Sequence, residues 1–134
     1  MEYAIHTDVK YRPLEVIDAA GLASACTEPW WNQSLCTVND CVARVGVFLG
    51  EFHWHKHDAE DELFFVLEGR LLLDFPRSAG DSPASSGSTD SYSTVELAPG
   101  QGLMVPRGVV HRTRAEVRTV VLMIEGAGVM PTGD

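Results

Sequence analysis

The chain has 134 residues, 45% of them hydrophobic and 22% charged, which fits one globular domain and excludes a disordered or fibrous architecture. Its 19 acidic residues outnumber 10 basic ones for a net charge of −9, and the bases are scattered, so no footprint for nucleic acid is present. No apolar run approaches the roughly 18 residues of a bilayer span, and "MEYAIHTDVKYR" lacks a leader pattern, so no membrane partner and a cytoplasmic location are expected.

Residues 1–40 read as an N-terminal arm with one or two short strands, an aromatic pair at Trp30 and Trp31, and a turn near Ala19 to Ser24 as the only helical hint. Cys26, Cys36 and Cys41 are odd in number and match no metal knuckle or redox pair, so they are expected to be buried or half-buried thiols without chemistry. From Cys41 the texture is β: "CVARVGVFLG", "EFHWHKH", "DELFFVLEG" and "RLLLDF" predict four strands separated by turns. Residues 76–94 are rich in Ser, Gly, Pro and Asp and predict a flexible surface loop. The β texture then resumes through "STVELAPG", "QGLMVPRG", "VVHRTRA" and "VRTVVLMIEG" before a short extended tail. Pro and Gly at intervals of about ten residues are the punctuation of an all-β sandwich or barrel over 41–134.

Chemistry concentrates in "GEFHWHKHDAEDELFFVLEG". On a strand, His55 and His57 stand on one face about 7 Å apart, close enough for two imidazoles to converge on one ion. Asp58, Glu60, Asp61 and Glu62 follow, and a carboxylate returning on the next strand offers a third, harder ligand. A fourth is available at His111, delivered by the proline-glycine turn of "VPRGVVH". Imidazole and carboxylate without thiolate suit a divalent ion: zinc or iron first, manganese or nickel next.

Two ordered patterns carry a family resemblance. The first is Gly50, His55-x-His57, four residues, Glu62, six residues, Gly69; the second is Gly100, five residues, Pro106-x-Gly108, two residues, His111. They resemble the two motifs of the cupin superfamily over about Cys41 to Glu125. The resemblance implies a double-stranded β-helix (jelly-roll) barrel with a short N-terminal arm, and one divalent ion held by His55, His57, Glu62 and His111. The second motif of the family usually closes with Asn, where this chain has Ala115. The segments around His53–His57 and Gly108–Ala115 are similar to small bacterial mannose-6-phosphate isomerase-like cupins and to the cupin domains of hydrazine synthetases. In the latter, a synthetase-like module activates an amino acid and the cupin promotes rearrangement to an N–N bond.

Around the ion, period two places His53 on the face of His55 and His57, as an alternative ligand, a partner orienting a ligand, a general base, or a hydrogen-bonded histidine without function. Glu60 is a second candidate proton carrier. Phe64 and Val66, in phase with Glu62, and Thr113, in phase with His111, are expected to line a substrate pocket. Leu63, Phe65 and Leu67 are then expected between sheets, Met104 and Met123 in the core, and Trp54 on the outer layer. Arg44 either anchors a substrate carboxylate or holds its head in water on an edge strand; Arg112 and Arg114 are expected to be solvated. Three functional classes follow: a metal-dependent enzyme acting on a small polar metabolite, including N–N bond formation with a synthetase-like partner; an iron-dependent dioxygenase or an isomerase; and a non-catalytic metal-stabilised binding protein. A homodimer is expected, with the N-terminal arm covering a sheet edge.

Overall fold

The computed structural model describes residues 2–77, 92–129 and 131–133. Its strands are β1 (Ala4–His6), β2 (Trp30–Val38), β3 (Cys41–Glu51), β4 (Glu62–Glu68), β5 (Leu71–Pro76), β6 (Tyr92–Leu97), β7 (Gly102–Val105) and β8 (Arg112–Gly126), with one helix, α1 (Ala19–Ala25). They form a sheet in the order β1-β2-β3-β8-β4-β7, while β5 joins β8 to β6. The long β8 is the spine: its start pairs with β5 and its remainder lies between β3 and β4. The result is the double-stranded β-helix barrel, nearly all β.

Alternation along the strands divides the side chains between two cores. Trp30, Phe48, Phe64, Val66, Val121 and Met123 face inward and belong to the barrel core. Val45, Val47 and Val120 face outward and are covered by Ala23 of α1. This helix was expected only as a turn. Asp18 caps it by accepting a hydrogen bond from the Gly21 amide at 3.0 Å, and the alanines that follow have the highest helix propensity.

Several outward positions differ from expectation. Leu63 and Phe65 are only half-buried and Leu67 is exposed, because among the described residues no second sheet lies over the outer face of β4. Met104 is exposed on the same face, whereas Met123 is buried inside. Cys41 is exposed; Cys26 and Cys36 are half-buried. The arm is not separate from the barrel, since β1 pairs in parallel with β2 and β2 forms an antiparallel hairpin with β3. Of the loop expected over 76–94, Pro76 ends β5 and Tyr92 to Thr94 open β6; residues 78–91 lie outside the described residues.

Candidate metal centre

The stretch that carries the histidines is not the strand its alternation predicts. Between Phe48 and Gly50 the β3–β8 register slips, and Gly50 takes φ 103°, a left-handed conformation that glycine adopts without strain. The chain then leaves the ladder, and beyond Glu51 its backbone is tied to the rest of the barrel by isolated hydrogen bonds. His55 and His111 exchange both, amide to carbonyl, at 3.0 and 2.9 Å. The Gly108 amide donates to the His57 carbonyl at 2.8 Å. The two motifs are thus fastened to each other residue against residue, and this brings the imidazoles together.

Each of two rings is oriented by its own backbone. His111 Nδ1 lies 2.9 Å from the Val109 carbonyl and His55 Nδ1 lies 3.0 Å from the His53 carbonyl. A carbonyl only accepts, so both Nδ1 atoms carry the proton and both Nε2 atoms present a lone pair. Glu62, the first residue of β4, is buried, with Oε1 at 3.3 Å from His57 Nε2 and 3.5 Å from His111 Nε2. One donor atom from each of His55, His57, Glu62 and His111 lies within 4.8 Å of the others.

The electrostatics favour a cation. Burial, followed by the neighbouring His111, lowers His55 to about 4, so its ring is neutral at neutral pH. Burial pushes the Glu62 carboxyl up, but the neighbouring His111 and His57 imidazoles outweigh it and hold the group well below the usual range. Glu125, directly opposite Glu62 on β8, is pushed up to about 10 by burial and by the Glu62 carboxylate. His111 Nε2 and Glu62 Oε1 are buried without a hydrogen-bond partner of good geometry. Orphaned lone pairs aimed at one another are costly unless a positive centre lies between them. Three imidazoles and one carboxylate therefore fit a divalent ion, and they match a borderline metal rather than an all-oxygen site.

A small cavity adjoins the cluster, lined by His55 and Glu62, by Trp30, Phe52 and Phe64, and by the polar side chains of Tyr3, Asn32 and Thr113. Its interior has ≈ 10 Å³ of space for a water centre, room for about one water. Pro131 of the tail lies on its wall, and a Cβ on Gly133 would come 2.6 Å from that of His55.

The remaining candidates separate. Phe64 and Thr113 line the cavity, whereas Val66 is packed deeper in the barrel core. His53 is exposed and outside the four-residue cluster, with Nε2 at 2.6 Å from the Thr132 carbonyl. Glu60 is also outside the cluster, its carboxylate packed against Gly126. Arg44 is neither on an edge nor in water: β3 lies between β2 and β8, and its guanidinium meets Glu125 at 3.2 Å. Arg112 and Arg114, expected in solvent, both grip the buried Asp74. Trp54 is half-buried beneath Arg112, whose guanidinium carbon lies 4.6 Å from the ring centroid.

Sequence reasoning missed Tyr3, Asn32 and Glu125. Asn32 follows Trp30 by two residues on β2 and shares its inward face; its amide donates to the Tyr3 hydroxyl at 3.1 Å, leaving Oδ1 buried and without a partner. Burial, opposed by that hydrogen bond, raises the Tyr3 pKa. Glu125 lies in phase with the core residues Val121 and Met123, and an acid at a core-phase position is the signal that points to it.

A curved β-barrel whose inner face carries three histidines and a glutamate belongs, by architecture and donor set, to the metal-binding barrels of cupin type. The chain is a member of the Cupin family, whose model matches residues 27–132. It is 41% identical over 104 residues to "Uncharacterized protein YdbB" of Bacillus subtilis (strain 168), covering 78% of this chain and 80% of that protein. Among solved structures, a cupin-2 domain containing protein from Shewanella frigidimarina NCIMB 400 superposes with a TM-score of 0.69 at 26% identity, over 83% of this chain and 94% of that one. Protein NMB1881 from Neisseria meningitidis shares the fold, with a TM-score of 0.66 at 24% identity over 84% and 99% of the two chains.

Proposed function

We propose that this chain is a metal-dependent cupin enzyme whose substrate is a small molecule that reaches the ion through the inner cavity. The observation that carries the reading is the convergence of four donor atoms within 4.8 Å beside a cavity. His55, His57, Glu62 and His111 hold the ion, and a divalent ion bound there supplies Lewis acidity toward a substrate oxygen or a water. Tyr3, Asn32 and Thr113 orient the polar groups of the substrate, while Trp30, Phe52 and Phe64 exclude water. At the rim, His53 donates from Nε2 to the Thr132 carbonyl, so Nδ1 keeps a lone pair and serves as the general base.

The reaction class follows from the metal. With zinc, the site is redox-silent and suits rearrangement of a polar metabolite, including N–N bond formation on an ester supplied by a synthetase-like partner; this rests on the likeness around His53–His57 and Gly108–Ala115. With Fe(II), the same ligands suit a dioxygenase. A homodimer remains part of the proposal, through the exposed outer face of β4 and β7, because β1 is already paired within its own chain.

Metal-free protein reloaded separately with zinc and Fe(II) distinguishes these readings. Hydrazine formed from an amino acid and a hydroxylamine in the presence of the partner supports the first; Fe(II)-dependent oxygen consumption supports the second. A His111→Ala variant with a lower melting temperature and unaltered small-molecule binding would instead identify a non-catalytic binding protein.

A further inference from the structure

The inner face carries a buried arginine–glutamate pair that is not part of the ligand set. The Arg44 and Glu125 side chains are 4% and 1% exposed and meet at 3.2 Å, Nε to Oε1. Taking two such polar groups out of water offsets most or all of what their attraction contributes, and a well-packed apolar pair is commonly as stable. Stability alone therefore does not explain them.

Their place in the register does. Val42 on β3, Glu125 on β8, Glu62 on β4 and Val105 on β7 form one row across the sheet. Glu62 and Glu125 are thus directly opposite across the two strands, and both are buried. Two acids opposed on a buried face repel. Arg44, two residues along β3 from Val42, reaches diagonally to Glu125 and places a cation behind it. Arg44 thus meets Glu125, and Glu125 stands directly across from Glu62, whose Oε1 faces His57 and His111. The far end is fixed too, since Arg44 Nη2 donates to the Val129 carbonyl at 3.5 Å. Neither Arg44 nor Glu125 lines the cavity, so a substrate has no direct access to them.

We propose that Arg44 and Glu125 are positioning residues: Arg44 anchors Glu125, and Glu125 holds the Glu62 carboxylate in the orientation that binds the ion. The inference rests on the metal-site reading and extends it by one layer. Ligating carboxylates are themselves held by hydrogen bonds, and loss of such a partner typically weakens metal binding about 10–100-fold.

Co²⁺ titration of the metal-free full-length chain, followed by visible absorption, tests this. The double variant Arg44→Met/Glu125→Leu removes both polar groups together, and is expected to keep the wild-type circular dichroism spectrum while binding Co²⁺ about 10–100-fold more weakly with an altered ligand-field spectrum. Glu125→Gln retains a hydrogen-bonding group toward both Arg44 and Glu62, and is expected to recover most of the affinity and the wild-type spectrum. That variant keeps the test decisive if the double variant fails to fold, because a Gln variant with the full loss would overturn the proposal. So would a folded double variant that binds Co²⁺ with wild-type affinity and spectrum, leaving the metal site itself intact. A wild-type chain that binds no Co²⁺ would overturn the metal-site reading, and the positioning role with it.

Discussion

Two buried polar clusters lie back to back across the start of β8, and they are finished in opposite ways. On the outer side, Asp74 accepts from Thr94 Oγ1 at 2.7 Å, Arg112 Nε at 3.0 Å, Arg114 Nε at 2.6 Å and Arg114 Nη2 at 3.0 Å. Arg112 also donates to Glu51 at 2.7 Å and stacks on Trp54. Both carboxylate oxygens of Asp74 are thereby used, and the cluster closes the barrel wall. On the inner side, His111 Nε2 and Glu62 Oε1 converge with His55 and His57 but have no good hydrogen-bond partner. Saturation marks the first as architecture; open valence marks the second as a place for something else.

The contrast can be broken most forcefully from the outer side. Asp74→Ala leaves Arg112 and Arg114 facing one another without their shared anion, and is expected to lower stability by about 3–5 kcal/mol in urea denaturation of metal-free protein. Metal content of the folded fraction should not change. A loss of metal with little loss of stability would reverse the two assignments.

A somewhat smaller effect is expected from the inner side. Zinc at about 100 times its Kd should stabilise wild-type protein by about 2.7 kcal/mol, read as a shift in the denaturation midpoint. In His111→Ala the shift should vanish at the same zinc concentration. Persistence of the full shift would place the ion elsewhere.

Acid titration sharpens the outer cluster. Burial raises the Asp74 pKa, but the hydrogen bonds of Arg114, Thr94 and Arg112 outweigh it and hold the carboxyl below its ordinary value. A depressed folded-state pKa contributes stability that is present above the unfolded aspartate value of about 3.9 and is lost as pH falls through the folded one. Stability measured by urea titration should therefore drop in that acidic window in wild type, and less steeply in Asp74→Asn. An identical slope in the two proteins would contradict the ion-pair account.

The smallest effect belongs to neither cluster. Met104→Gln, at an exposed position on the outer face of β7, should change the stability of the dissociated chain by less than about 0.5 kcal/mol in thermal denaturation at high dilution. A larger loss that grows with protein concentration is what the homodimer proposed through this face predicts.

How much of this was legible in the sequence depended on whether a residue's environment is local. The four candidate ligands were readable because the two motifs fix their spacing and their backbones meet directly. His53 lies outside the four-residue cluster because alternation holds only on a strand, and the chain leaves the β3 ladder near Gly50 before reaching it. Arg44 looks like an edge residue when β3 is read alone; its partner Glu125 arrives only with β8. Arg112 and Arg114 were placed in solvent for the same reason, since Asp74 is on β5. Helix α1 spans seven residues, too few for a helical period to show, and only its Asp18 cap and alanines announce it. Met104 sits in a strand of four residues, where parity alone does not tell the inner face from the outer.

The most direct test of the central claim is the metal content of untagged protein, measured by elemental analysis in wild type, His55→Ala and His111→Ala. The account predicts about one divalent ion per chain in wild type and almost none in either variant. Substoichiometric metal in wild type, unchanged by both substitutions, would contradict it.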